Sequence, residues 1–434
     1  MHARQLALIL LVIGLAASMA GQGRGVIPRQ SGSISARAIA TAGPEDVGFS
    51  SERLRAVHET IQRHIDARDI TGAVTLVASR GRIAHFEAHG LMDLDAKRQM
   101  AKDSIFRIMS MTKPITAVAV MMMEEEGKLR VIDPVSKFIP QFSRLKVTAT
   151  PVGFSRTSPS VDVPTVAANR EITIADLLTH TSGMSMGLDL EPKPGETLAS
   201  QMSRYSRLPL IFQPGTDWQY SGIAGPDVLA RIVEIVSGEN YERFLKRRIF
   251  DPLGMTDTSH FPTDAQRRRL VTLYTKTPAG FVPNENPDWF SSKTYFSGSA
   301  GLVSTAEDYL QFAQMLSNGG ELNGKRLLKP ETVRRISTNY VGEMFNGKLG
   351  FPQRGLGFGY LVAIVQDTHT AGWQIPDGSF GWLGAYGSQV WINPKEQLVT
   401  ILMIQNSVNA VQRDFEAAVV QARLSDVKMK GSAK

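Results

Sequence analysis

The chain has 434 residues, 42% of them hydrophobic and 21% charged, and no cysteine. This composition excludes a disordered chain, a disulfide scaffold and thiol chemistry, and the length allows a large core that needs no covalent staple. The net charge of +7 comes from scattered Lys and Arg residues outside any recognised nucleic-acid motif, which argues for a basic surface and against a nucleic-acid partner.

Met1 to Gln5 precede an apolar run, Leu6 to Ala17, and then the small residues Ser18-Met19-Ala20 before Gly21. Residues 1–20 read as a secretory signal peptide, so the protein is expected to be exported, to a bacterial periplasm or the medium. The run is short for a span, so no stable membrane span is expected after its removal. Residues 21–44, rich in Gly, Ser and Arg, read as a flexible linker. Residues 45–430 read as a single catalytic domain.

Ser50 can cap a helix that places Leu54, Val57, Ile61 and Ile65 on one face. Ala73 to Ser79 and Ile83 to His89 have strand character and meet at Arg80-Gly81 as a hairpin. Ser110-Met111-Thr112-Lys113 then opens a helix, apolar on nearly every side through Met123, with Gly127 as its stop. Serine and lysine three apart leave one helix face one turn apart, so hydroxyl and amine can touch. Pro114 suits a tight, 3₁₀-like opening. The same spacing recurs at Ser143/Lys146 and Ser425/Lys428, without the buried helix that makes the first occurrence informative.

Residues 145–170 show no period and are expected to wander over the surface. Ile174 to Leu178 form a short helix ending at His180-Thr181-Ser182-Gly183, where His180 is expected to cap or bond within the turn. Gly183-Met184-Ser185-Met186-Gly187 matches the nucleophile elbow of α/β-hydrolases, but no strand precedes it and no helix follows, so Ser185 reads as structural. Gln213-Pro214-Gly215 turns the chain toward Trp218 and Tyr220; a helix follows from Pro226 to Gly238. Strands are expected over Phe358 to Val365, Tyr386 to Ile392 and Leu398 to Gln405, with a closing helix whose Val408, Val411, Phe415 and Val419 cover the sheet.

The pattern is α+β: an antiparallel sheet of early hairpin and late strands, flanked by helices. A helical part, about 113–259, is inserted between α/β parts of about 45–112 and 260–430. The histidines His58, His64, His85, His89, His180, His260 and His369 show no metal-ligand spacing, and neither a metal nor another cofactor is expected.

Ser110-Met111-Thr112-Lys113, Leu177 to Gly183, Tyr220-Ser221, Asp251 to Met255, Gly301 to Thr305 with Asp308-Tyr309, and Gly381 to Gly387 together resemble the serine β-lactamase-like hydrolases. The resemblance covers nearly everything after the linker and is nearest to class C β-lactamases and family VIII carboxylesterases. It implies the β-lactamase/transpeptidase-like fold, Ser110 as acylated nucleophile, Lys113 as its proton partner and Tyr220 as a phenol relaying protons to the leaving group. It also implies an oxyanion hole from the N–H groups of Ser110 and Ala385.

Class C β-lactamases carry Asn where Gly222 stands and Lys-Thr-Gly where Trp382-Leu383-Gly384 stand. The change removes a cation for a substrate carboxylate and adds an apolar ring. Trp382, Leu383, Gly384 and Gly222 are accordingly expected around a substrate with an uncharged or hydrophobic acyl group, and Trp218, near Tyr220, is expected either to wall the acyl pocket or to be a plain core aromatic. The expected activity is hydrolysis of small carboxylic esters. The alternatives are a β-lactamase or D,D-peptidase using the same nucleophile, and a non-catalytic penicillin-binding-like protein.

Overall fold

A computed structural model describes residues 38–150, 157–187, 189–190, 192–285, 292–352 and 354–424. The expected signal peptide, most of the linker, and the Ser425/Lys428 pair lie outside the described residues. Among the described residues no helix is long and apolar enough to cross a membrane.

The centre is an eight-stranded antiparallel sheet. Its strands are β1 (Gly72–Ser79), β2 (Arg82–Asp93), β3 (Arg98–Gln99), β4 (Leu356–Phe358), β5 (Ala363–Val365), β6 (Phe380–Leu383), β7 (Gly387–Asn393) and β8 (Leu398–Gln405). They lie in the order β4-β5-β6-β7-β8-β1-β2-β3. The early hairpin and the late strands thus join, as expected, through β1 against β8, with Leu76 opposite Ile401.

On one face lie α1 (Ser51–Asp66) and the closing helix (Asn409–Gln421), which pack on each other and on the sheet. Ser50 Oγ accepts the Arg53 N–H at 3.3 Å and caps α1, whose Leu54, Val57 and Ile61 meet Val411, Phe415 and Val419 in one cluster. The opposite face carries a helix at Ala306–Ser317 and, beyond it, the helical part built around α2 (Thr112–Glu125). Within that part α5 (Ala224–Ser237) packs on α2, which is buried from Thr112 to Met123, and α3 (Ile174–Leu178) and α4 (Leu198–Tyr205) pack on α5. We label the two sheet-covering helices of the second half α6 (Ala306–Ser317) and α7 (Asn409–Gln421).

Three expectations need correction. Phe358 to Val365 is a hairpin, not one strand: Gly359 N–H bonds Val362 O at 2.9 Å and Leu361 has a φ of +58°. Only glycine fits at 359, where a Cβ would lie 2.2 Å from the Ile336 carbonyl. The linker ends earlier than expected, because Ala40 O and Ala42 N–H pair with Ile83 beside β2, each at 2.9 Å. Within 145–170, Lys146–Thr148 and Thr165–Ala167 pair as a small ladder with Val147 opposite Val166; residues 151–156 lie outside the described residues.

Candidate active site

Met109–Met111 form one 3₁₀ turn that runs directly into α2. Met109 has a φ of +47°, a conformation that costs a non-glycine residue about 1–3 kcal/mol. The turn is braced from the side. Ile108 N–H bonds Leu302 O at 3.1 Å, Leu302 N–H bonds Thr112 Oγ1 at 3.3 Å, and the Tyr309 hydroxyl donates to Met111 O at 2.7 Å. The Gly301-to-Tyr309 stretch therefore holds the segment that presents Ser110. Pro114 falls in the first turn of α2, where its missing N–H costs no helical bond.

Lys113 is fully buried, and its Nζ donates to Ser110 Oγ at 3.1 Å and to the Ser299 carbonyl at 2.9 Å. It also sits 4.9 Å from the centroid of the Tyr220 ring. Two of the three ammonium donors are thus committed, which fixes the amine against the hydroxyl.

Tyr220 accepts a hydrogen bond from Trp382 Nε1 at 3.2 Å. An indole N–H only donates, so the phenol oxygen is the acceptor there and its own proton is left for another partner. Behind Tyr220, Trp218 is buried among Phe345, Phe358 and His180. It supports the phenol from the core and has almost no surface with which to meet a substrate.

His180 has a φ of +58° and turns its ring edge toward Tyr220 at 4.8 Å. Its Nδ1 accepts the Ser221 N–H at 3.3 Å, so the ring holds the tyrosine loop, while the backbone N–H bonds Leu177 O within the turn at 3.4 Å. Burial, and then the Lys113 charge, hold the imidazole well below its usual range and keep it neutral.

Opposite these groups, β6 ends against the nucleophile turn. A Cβ on Gly384 would lie 2.6 Å from the Ile108 carbonyl, so the two backbones touch only because 384 is glycine. Ala385 follows at the tip of a turn closed by Gly384 N–H to Ser388 O at 2.7 Å and Gly387 N–H to Gly384 O at 2.9 Å. Ser110 precedes the first intrahelical bond, Met111 N–H to Ile108 O at 3.0 Å, so its N–H belongs to the donors a helix leaves free.

Leu383 departs from its expected place. Strand alternation turns it away from Trp382, onto the face it shares with Gln389. There it lines a cleft of about 150 Å³ with Phe351, Trp373, Trp391, Gln412 and Glu416. Gly222 leaves room that Met186 takes: a Cβ would meet Met186 Cγ at 3.1 Å.

The sequence reading missed the support beneath Lys113. Asp227, fully buried, accepts from Ser297 Oγ at 2.7 Å, from Tyr205 at 3.3 Å and from Tyr295. Ser297 Oγ takes the Ser299 N–H at 3.1 Å, and this fixes the carbonyl that Lys113 uses. Burial raises the Asp227 carboxyl above its usual range. An acidic residue after Pro226, amid the apolar first turns of α5, was the available signal.

Ser185 is buried in a loop and its hydroxyl meets Ser158 Oγ at 3.1 Å. Ser143 and Lys146 lie on either side of a helix end and a strand start, not on one helix face. The histidine expectation needs correction as well: His58, Glu87 and His89 converge across α1 and β2, with ligand atoms within 4.8 Å of one another.

The chain is similar to known proteins along most of its length. The family model described as Beta-lactamase matches residues 57–424. Esterase EstB from Burkholderia gladioli is 30% identical over 408 residues, covering 85% of this chain and 93% of EstB. The structure of EstCE1, titled a hydrolase with promiscuous acyltransferase activity, superposes with a TM-score of 0.72 at 25% identity, over 85% of this chain and 99% of that one. Simvastatin synthase (LovD) from Aspergillus terreus shares the fold, with a TM-score of 0.70 at 20% identity over 86% of this chain and 98% of its own.

Proposed function

The chain belongs to the Beta-lactamase family and is a serine hydrolase, and from that premise we propose that it cleaves carboxylic esters with uncharged or hydrophobic acyl groups through a Ser110 acyl-enzyme. The observation that carries the reading is the triangle of Lys113 Nζ, 3.1 Å from Ser110 Oγ and 4.9 Å from the Tyr220 ring, closed by the Trp382 N–H on the phenol. The names of EstB and EstCE1 point the same way.

In this reading Ser110 Oγ adds to the ester carbonyl while its proton passes to the Lys113/Tyr220 pair, which reacts with one of its two members deprotonated. The oxyanion is met by the N–H groups of Ser110 and Ala385, whose backbone donors do not depend on side-chain identity. Tyr220 returns the proton to the alcohol oxygen as the carbon–oxygen bond breaks. Water then repeats the sequence on the acyl-enzyme and releases the acid. Trp382 places an indole at the phenol where Lys-Thr-Gly enzymes place an ammonium, and Met186 occupies the space beside Gly222. Both changes disfavour a substrate that needs its carboxylate and amide held.

A panel of short and medium acyl p-nitrophenyl esters beside a chromogenic cephalosporin tests the reading. Ester turnover with little or no cephalosporin turnover is expected. Efficient cephalosporin hydrolysis with inert esters would overturn it in favour of the β-lactamase alternative.

A further inference from the structure

The outer face of β2, beneath α1, carries a group of side chains that the ester chemistry does not use. His85, Glu87 and His89 alternate along β2 and so share one face. Across the ladder Thr75 stands directly opposite Glu87, diagonal to both histidines, and its hydroxyl contacts His85 Nε2 at 2.8 Å and His89 Nε2 at 2.9 Å. From α1, His58 reaches over the strand with its ring 5.1 Å from that of His89 and its Nδ1 3.1 Å from Glu87.

Glu87 is the hub of this group, with carboxylate oxygens 3.8 Å from His85 Nδ1 and 3.9 Å from His89 Nε2. His89 is 3% exposed, and its Nδ1 is buried with no hydrogen-bond partner. A buried polar atom left without a partner is uncommon and calls for an explanation. Two imidazoles on one strand, a third from a helix, a carboxylate between them and a threonine that orients two of the rings make up the donor set and supporting contacts of a transition-metal site.

We propose that His58, Glu87 and His89 bind a divalent transition metal of the zinc class, with Thr75 orienting His89. The nitrogen and oxygen donors suit Zn²⁺ and disfavour the all-oxygen cages of Ca²⁺ and Mg²⁺. Tetrahedral ligands about 2 Å from zinc lie roughly 3.3 Å apart, so the present spread of up to 4.8 Å must contract. His58 and Glu87 have side chains 55% and 44% exposed and can supply that movement by rotamer change. The site lies four strands from β6 in the sheet order, which makes its role structural.

The test uses the untagged, chelator-treated protein, titrated calorimetrically with ZnCl₂, with Co²⁺ absorption as an independent report of nitrogen and oxygen ligation. One equivalent should bind, the Tm should rise with Zn²⁺, and ester turnover should be the same with and without metal. His58→Ala and Glu87→Gln, which change exposed side chains, should each weaken binding at least about 10-fold at unaltered metal-free Tm. Absence of saturable binding at 100 µM ZnCl₂ would overturn the site. Binding by both variants as tight as by the parent would place the metal elsewhere and overturn it too.

Discussion

Lys113 and Tyr220 act on the same proton in the proposed reaction, so their removal should not add. Tyr220→Phe and Lys113→Ala should each lower kcat by about 10²–10⁴-fold with the fold kept, and the double variant should fall little further. An additive double variant, or a Tyr220→Phe enzyme with near-normal kcat, would show that the phenol is not in the relay. Ser110→Ala should abolish turnover and labelling by a serine-directed phosphonate, whereas Ser185→Ala should keep most of both; label found on Ser185 by peptide mass would reverse the assignment. Trp382→Phe keeps the ring against Phe351, stacked at 5.8 Å, but deletes the N–H on the phenol. One hydrogen bond of ordinary strength predicts a loss of about 3- to 10-fold in kcat. These roles were unequally legible. The Ser110–Lys113 contact follows from helical spacing alone, while Tyr220 was recognisable only through its resemblance to a family motif. The Ser299 carbonyl and the Trp382 indole come from distant segments that no local pattern joins to Lys113 or Tyr220, and the turn of Leu383 away from the phenol depended on which face of β6 looks inward.

At the level of elements, the end of β6 and the 3₁₀ turn before α2 are held apart by the thickness of one glycine. Gly384→Ala puts a methyl where the Ile108 carbonyl already stands at 2.6 Å, so one backbone must retreat and widen the space between the Ser110 and Ala385 N–H groups. A misplacement near 1 Å costs about 100-fold in rate. The expected result is a large fall in kcat with a modest fall in Tm, and a Gly384→Ala enzyme with parental kcat would mean that this contact does not set the oxyanion geometry. The longer elements were readable because each carries its own period: α1 and α7 from a spaced apolar face, α2 from an apolar surface all round, β1, β7 and β8 from apolar and β-branched runs. The β4–β5 hairpin was read as one strand because Gly359 to Val362 is itself mostly apolar. Its reversal rests on the close approach of Gly359 to Ile336, a tertiary contact that leaves no periodic trace.

Across the whole molecule, the closing helix is tied to the sheet by a buried acid. Glu416 on α7 accepts from Gln389 Nε2 on β7 at 2.9 Å and from Thr400 Oγ1 on β8 at 2.9 Å, all neutral partners. Burial pushes its carboxyl up to about 8 from an ordinary 4.5. Between those values the folded protein holds a proton that the unfolded chain has released, so this group's contribution is full below about pH 4.5 and is lost as pH rises through 8. Each pH unit of that gap is worth about 1.4 kcal/mol, which makes the loss a few kcal/mol on a fold whose net stability is itself about 5–15 kcal/mol. Glu416→Gln keeps the size of the side chain and an acceptor for Thr400 but cannot ionise. Other groups add slopes of their own to both proteins, so the informative quantity is the difference in Tm between parent and variant. That difference should be small near pH 5 and grow in favour of the variant toward pH 9, with ester turnover at pH 7 unchanged because the β7–β8–α7 contact lies outside the Ser110 site. Tm curves that run parallel from pH 5 to pH 9 would show that Glu416 is not the buried proton store its surroundings make it.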